Sequence, residues 1–418
     1  MKIVNSVKKY KNITTVIDIG SSKVSCLIGK SVNNNDIQIQ VLGFGQHASF
    51  GINNGLVTNM HELANSIARA VEGAEIMAGF PIKKVNCSLS GGNPITKIIR
   101  NILTLDNGQV VKKDFNKIQK INNQKQIENY TLLSSSPIKY MIDNDNIVEN
   151  PIGMFTNTLT VDISNIFGNK VAIKNITSAI ELCHLLVDKF IITPEASGLA
   201  TMIMDEREQG ATIIDLGENI TSIGVFLKNK LVFSDSIPIG GVHITSDIVR
   251  GLGTKAEDAE KIKILHGSAQ TNELDEFTNI EIPIISEEGE IVTQQIPRAM
   301  LTAIIKPRIE EIFEIINNRL SYFKLNSSYT NKMILCGGGA NLNSIRELAA
   351  NYFNCNVRIG RPIGLIGLPD IAQTPSFACL TGLLIKSLEK ERMPISEKTS
   401  SGFYNYFGKI GNWFDKNL

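Results

Sequence analysis

The sequence predicts an α/β fold of two related halves that enclose a cleft, and three observations carry that prediction. First, TTVIDIGSSKVSCLIGK (14–30) and ATIIDLGENITSIGVFLKNKLVF (211–233) share one pattern. Each reads as an apolar strand, a tight Asp-x-Gly turn and a returning strand. Second, Asp18 and Asp215 stand roughly half a chain apart, as an internal duplication requires. Third, the apolar strand Lys332–Cys336 runs into Gly337-Gly338-Gly339 and then a helical pattern, which is the punctuation of an α/β unit. Duplicated domains placed side by side leave a cleft, and clefts between domains are favoured ligand sites.

Composition narrows the function. The 418 residues suggest roughly two to four folding units. Forty-two basic against 41 acidic residues leave a formal charge of +1, which argues against a nucleic-acid binder working through bulk positive charge. No run approaches the roughly 20 apolar residues of a spanning helix. The start, MKIVNSVKKYKNITTV, has charges but no apolar core, so no secretory signal is expected. Cysteines at 26, 87, 183, 336, 355 and 379 form no CxxC pair, so reduced thiols are expected rather than a disulfide framework or zinc site. The five scattered histidines read as structural.

Along the chain, 12–87 and 168–209 form a first core unit. It holds the first hairpin, a short strand near Ile37–Leu42, a helix over 60–78 and a buried strand Lys84–Leu89. The helix rests on Leu63, Ile67, Ala70, Val71, Ala74 and Met77 at three- and four-residue steps. Residues 93–150 differ: they are rich in Asn, Lys and Ser and read as an inserted module, whose bounds are taken as 88–167. Lys170–Thr177 reads as a strand and Ser178–Lys189 as a helix. A second core unit spans 210–253 and 332–388, interrupted by 254–331, which is helical at both ends with strand-like runs at Ile280–Ile285 and Glu290–Ile296. A helix is expected near 343–353, capped by Asn341 or Asn343, and another over 376–388, rich in small residues. Residues 389–402 read as a flexible linker.

Several segments are able to carry chemistry. In Asp18-Ile19-Gly20-Ser21-Ser22-Lys23, successive backbone N–H groups make a nest for phosphate oxygens, and the Ser21, Ser22 and Lys23 side chains add donors. Asp18 is placed to hold Mg²⁺ through water. The same pattern is also a common hairpin turn. Asp215, Gly217 and Thr221 belong to the second copy. The Gly337-Gly338-Gly339 and Ile239-Gly240-Gly241 loops each precede a helix and allow close backbone approach to a ligand, or serve only as fold devices. Glu260 and Lys263 share a helix face, where they either hold sugar hydroxyls or form an exposed ion pair. At the end of the chain, Phe403, Phe407, Ile410 and Phe414 fall on one helical stripe, with Trp413 on its edge. Aromatic residues of this kind favour the membrane interface, while docking on the body or a partner is the alternative. Gly408 and Gly411 lower helix propensity in water, so folding on the bilayer is expected.

Taken in order, VIDIGSSKVSCLIG, the helix ending in AEIMAG, CSLSGG, DEREQGATIIDLG, SIPIGGVHITSDIVRGL, DAEKIKILHG, MILCGGGANL and the aromatic tail resemble the bacterial cell-division FtsA family. That family lies in the actin/Hsp70/sugar-kinase superfamily. The resemblance implies an actin-like fold with ATP and Mg²⁺ in the cleft, a family-specific subdomain at 88–167 and a membrane-targeting helix at 403–418. It implies head-to-tail self-assembly, binding of the C-terminal peptide of tubulin-like FtsZ within 254–331 (with Arg298 in that segment), recruitment of other division proteins, and a peripheral place on the cytoplasmic face of the inner membrane at the division site. By motif, Asp18, Gly20, Ser21, Ser22 and Lys23 match the first phosphate loop, and Asp215, Gly217 and Thr221 the second. Gly241 lies in the matching SIPIGG segment. Glu260, Lys263, Gly337, Gly338 and Gly339 match the adenosine-binding elements.

One departure stands out. The family's second loop reads Asp-(Ile or Met)-Gly-Gly-Gly-Thr-Thr, whereas Glu218, Asn219 and Ile220 follow Gly217 here. Two like charges about 4 Å apart repel by roughly 1 kcal/mol even in a water-like dielectric, and by more in a cleft. Weakened nucleotide binding, or a shifted phosphate register, and little hydrolysis are therefore expected. The other readings are a superfamily ATPase or kinase, with Glu195 as its base, and a pilus-assembly relative of the same fold.

Overall fold

The computed structural model describes residues 13–32, 38–105, 108–143, 146–285, 290–322 and 331–390. The expected terminal helix, with Phe403, Phe407, Ile410, Trp413 and Phe414, and the part of the expected linker beyond Lys390 lie outside the described residues.

The first half opens with an antiparallel meander of β1 (Ile13–Ile19), β2 (Lys23–Ser31) and β3 (Ile39–Ala48). Most of β1 and β2 is buried, which is why both read as nearly continuous apolar runs rather than alternating ones. A small hairpin, β4 (Ile52–Asn53) and β5 (Leu56–Val57), leads to α1 (Met60–Ala78). The Asn59 side chain caps α1 by accepting from the N–H groups of His61 and Glu62. β6 (Lys84–Leu89) joins β1 in parallel.

The chain then leaves for the inserted domain, β7 (Ile95–Thr104), α2 (Lys112–Gln124), β8 (Tyr130–Ile142), β9 (Asn146–Val148) and β10 (Thr158–Asn169), ordered β7-β10-β8-β9. It has its own small core around Ile118, Leu159 and Val161. The chain returns as α3 (Lys170–Glu181) and β11 (Leu186–Ile192), then α4 (Thr193–Thr201) and α5 (Met204–Gln209).

The second half repeats the plan with β12 (Ala211–Leu216), β13 (Thr221–Leu227) and β14 (Lys230–Ile237). Then come α6 (Gly241–Leu252), α7 (Ala256–His266), the hairpin β15 (Asn279–Ile285) and β16 (Ile291–Pro297), and α8 (Arg298–Tyr322). β17 (Lys332–Cys336), α9 (Ile345–Phe353), β18 (Asn356–Ile359), β19 (Leu365–Ile366) and α10 (Ala378–Lys390) complete it. The two large sheets have one order: β3-β2-β1-β6-β11 in the first half and β14-β13-β12-β17-β18 in the second. Their registers also agree, since Asp18 lies opposite Ser25 and Asp215 opposite Ser222.

Three expectations change. Lys170–Thr177 is helical, and the strand follows it. The alternating Val171 and Ile173 imitate a strand, but the Asn169 side chain accepts from the N–H groups of Val171 and Ala172, and Ala172, Ile176, Ala179 and Ile180 make one buried helical face. Helix α9 is preceded by Ser344 at φ +58, without a side-chain cap; Asn343 instead donates to the Gly267 carbonyl, and Asn341 to that of Gly338. Finally, 332–388 does not stay in the second half. β19 pairs with β3, and Leu380, Leu383, Leu384 and Leu388 of α10 pack with Val16 and Leu27 of the first sheet.

α10 crosses α4 between the two sheets, and the crossing is closed by Gly382. A Cβ there would stand 1.7 Å from the Ala196 carbonyl oxygen, so even one methyl group must push the helices apart. The inserted domain reaches the edge strand β14 through side chains. The Thr96 hydroxyl donates to the Ser234 carbonyl at 2.7 Å and accepts from its N–H at 3.0 Å, and Ser164 donates to the Val232 carbonyl at 2.6 Å. These bonds satisfy edge groups that would otherwise be exposed for pairing. Overpacking of this kind costs about 1–3 kcal/mol, so Gly382→Ala is expected to lower the thermal midpoint by several degrees in a calorimetric scan.

Candidate functional site

Both Asp-x-Gly turns close with the same bond. The Gly20 N–H donates to the Lys23 carbonyl at 3.0 Å, and the Gly217 N–H to the Ile220 carbonyl at 2.9 Å. The two turns face one cavity of about 420 Å³. Its wall contains Asp18, Gly20, Ser21, Ser22 and Lys23 from the first half, and Asp215, Gly217, Glu218, Gly241, Glu260, Lys263, Gly337, Gly338 and Gly339 from the second. Residues far apart in the sequence are thus brought to one place. Thr221 is the exception: it is fully buried, is absent from the wall, and its hydroxyl donates to the Ile239 carbonyl at 2.8 Å. The Thr sits one residue past the turn, where the strand pleat directs it away from the cavity.

Each Asp is held by one Ser and one Cys. Ser88 on β6 and Cys379 on α10 are the polar side chains that favour the charged form of Asp18. Asp215 takes a hydrogen bond from Ser197 on α4, at 2.6 Å, and Cys336 on β17 likewise favours its charged form. β6 and β17 occupy equivalent places in the two sheets, so the residue types are exchanged between the halves while the plan is kept. Burial raises the carboxyl of Asp18, against the pull of Ser88, Cys379 and the Lys23 charge. Burial is also the main reason that Asp215 is raised to about 6, and the Asp18 charge adds to it. Lys23 is lowered to about 8 by desolvation, although both carboxylates oppose that shift. Its ammonium lies 3.3 Å from the centre of the Phe377 ring, and among the described residues it forms no ion pair within 4 Å.

The second wall is built from backbone and a polar network. Gly337 has φ +82, and a Cβ there would stand 2.5 Å from Asp215 Oδ1 and from the Leu216 carbonyl. Only glycine lets this loop lie against the carboxylate. The first amides of α6 are spent on the second turn: Gly241 N–H donates to the Gly217 carbonyl at 3.0 Å and Val242 N–H to that of Glu218 at 2.8 Å. Lys263 Nζ donates to the Gly241 carbonyl at 3.0 Å, Thr245 Oγ1 at 2.8 Å and Glu260 Oε2 at 2.7 Å. The Glu260–Lys263 pair is therefore part of the cavity wall rather than an exposed helix pair. Burial and the neighbouring Glu260 raise Glu218, and Lys263 opposes that rise.

The residues suit an anionic ligand near Lys23 and a cation near the two Asp carboxylates. Among the described residues no group of three or more His, Cys, Asp or Glu is placed to hold a metal unaided, so a cation here would keep water and ligand oxygens beside Asp18. Glu218 is the side chain that fits phosphate poorly. Glu195 lies elsewhere, in the wall of a separate cavity of about 790 Å³, and pairs with Lys386 at 2.7 Å. It is not positioned as a base over the cleft. Arg298 donates to the His266 carbonyl at 3.0 Å and pairs with Asp275 at 3.6 Å. Ser88, Ser197, Phe377, Cys336 and Cys379 also meet at the site, beyond what the sequence led one to expect. Only Cys336 carried a signal, its place directly before the glycine loop.

Asp215 binds its proton more tightly in the folded chain than unfolded, so folding stability falls as pH rises from about 4 to 6 and stays reduced above that. Asp215→Asn is expected to raise the melting midpoint of the nucleotide-free chain by a few degrees at pH 7.5 and to lose that advantage near pH 4. Thermal melts across this range check it.

Residues 212–382 match the family described as Cell division protein FtsA, and residues 91–167 match the SHS2 domain inserted in FTSA. The chain is 32% identical to Cell division protein FtsA of Rhizobium meliloti (strain 1021), over 98% of this chain and 96% of that protein. It is 34% identical to that of Agrobacterium fabrum (strain C58), over 90% and 87%. To that of Escherichia coli (strain K12) it is 26% identical, over 97% and 98%. Among solved structures it is similar to the PilM-PilN type IV pilus biogenesis complex, with a TM-score of 0.62, 16% identity, and coverage of 90% of this chain and 98% of that one. MreB5 of Spiroplasma citri bound to ADP gives a TM-score of 0.53 at 14% identity, over 91% and 97%. These likenesses show the actin-like fold. With its duplicated sheets, its inserted domain and near full-length identity above 30% to a curated relative, the chain belongs to the FtsA family of cell-division proteins.

Proposed function

We propose that this chain binds ATP with Mg²⁺ in the cleft and assembles head to tail. In this reading it tethers FtsZ filaments, through their C-terminal peptide, to lipid on the cytoplasmic face of the inner membrane at the division site, where other division proteins join. The observation that carries the nucleotide part is Lys23. A half-buried ammonium without a carboxylate within 4 Å, set at a turn facing a second matched turn, is arranged for an anion. MreB5 of Spiroplasma citri, similar in fold, is described in complex with ADP and with AMPPNP. Asp18 would hold the cation through water, Ser21 and Ser22 would donate to phosphate oxygens, and Glu260 and Lys263 would meet the ribose. Glu218 opposes the phosphate charge, and with Glu195 facing another cavity no base is assigned, so nucleotide is held with little turnover.

The membrane part rests on the aromatic stripe of residues 403–418. Fully burying one large apolar side chain contributes about 1.5–3 kcal/mol, but an interfacial helix buries its side chains only partly and must order its backbone. One tail therefore binds weakly, and linkage of many tails along a filament makes attachment firm.

Titration with a fluorescent ATP analogue is expected to show weak binding that Lys23→Ala reduces about tenfold or more and Glu218→Gly strengthens. Tight binding with steady turnover in the natural chain would contradict this reading. In co-sedimentation, FtsZ filaments are expected to pellet with liposomes only when this protein retains residues 403–418 and FtsZ retains its C-terminal peptide. Unchanged pelleting after either deletion would refute the tether.

A further inference from the structure

The two turns share a backbone path but differ at their fourth residue. Lys23 ends the first turn and reaches into the cavity. Ile220 ends the second turn; with Asn219 and Gly55 it belongs to the same cavity wall, and its side chain reaches the other half. It is 8% exposed, yet it joins neither apolar core that the second half's sheet helps to build. Its Cδ1 lies against Gly55 in the β4–β5 turn of the first half, where an added Cβ would stand 3.1 Å away. Next to it, the Asn219 side-chain amide donates to Asn53 Oδ1 in that same turn. The turn cannot retreat, because Gly55, at φ +69, is backed by Gly91, whose Cα would stand 2.5 Å from that Cβ. One polar and one apolar contact therefore meet on a braced turn, and both come from positions where the family pattern has glycine or threonine.

We propose that Asn219 and Ile220 latch the second turn onto the Asn53–Gly55 turn, so that the chain's own side chains hold its two halves together beside the cavity. Resting on the nucleotide reading, this makes closure largely independent of ATP. A ligand shifts a conformational equilibrium only by its differential affinity, and little shift is left once the closed state already dominates.

Hydrogen–deuterium exchange of the full chain, with and without MgATP, tests this at residues 49–58 and 217–222. In the natural chain both segments are expected to be protected without nucleotide, and MgATP should slow their exchange less than about twofold. Asn53→Ala, outside the cavity wall, should speed nucleotide-free exchange about two- to tenfold at both segments while β1 and β12 stay protected, and MgATP should restore the protection. Asn53→Asp keeps an acceptor for the Asn219 amide and should behave like the natural chain. Equal nucleotide-free exchange in the natural and Asn53→Ala chains, or equal slowing by MgATP in both, would overturn the latch. If MgATP protects no part of the cavity and the fluorescent analogue does not bind, the nucleotide reading fails, and the nucleotide-free comparison still decides the latch.

Discussion

The structure depends on keeping two carboxylates and one ammonium together where burial strips them of water. Asp18 and Asp215 are both raised by burial, and the Asp18 charge adds to the shift of Asp215. A site of this kind is tolerated only if donors are fixed around each charge, because an unpaired buried charge costs several kcal/mol. Here one Ser and one Cys serve each Asp, and Lys23 feels both charges while its ammonium rests on the Phe377 ring. Unfavourable electrostatics kept at one place mark a functional site rather than a stabilising one.

The scaffold explains how such a site is held. Each Asp ends the central strand of a sheet with the same strand order, and a parallel neighbour supplies one of its two donors. The other donor comes from α4 or α10, the helix pair between the sheets. That pair approaches closely enough only because Gly382 carries no side chain against Ala196. The geometry of the site is therefore tied to the packing of the helix crossing, and close-packed interiors transmit such shifts. The inserted domain is tied to the second half as well, since its Thr96 and Ser164 bond the backbone of β14.

The second turn shows how one backbone form serves different ends. In the first half, Ser21, Ser22 and Lys23 line the cavity. In the second, the carbonyls of Gly217 and Glu218 are held by α6, Glu218 places a carboxylate in the cavity, and Asn219 and Ile220, also in the cavity wall, contact the first half. Without a second pair of glycines the turn loses some backbone access for a phosphate and acquires side chains that bind protein instead. The duplication is thus symmetric in its strands and in the donors around its Asp residues, and asymmetric in its turns.

Much of this was legible in the sequence. Strand-turn-strand patterns with Asp-x-Gly marked both hairpins, the helical stripe from Leu63 to Ala74 marked α1, and the composition of 93–150 marked the insert, because local periodicity and turn chemistry act over a few residues. The stretch from Lys170 misled, because β-branched alternation imitates a strand and the Asn169 cap outweighed it. Other facts belong to the folded chain alone. Thr221 turns inward, Glu195 faces another cavity, and β19 and α10 return to the first half. Ser88, Ser197, Cys379 and Phe377 become site residues only when distant strands and helices meet. The physical reason is range: propensity and periodicity are local, whereas burial, the grouping of charges and the direction in which a side chain points are set by contacts between residues tens to hundreds of positions apart.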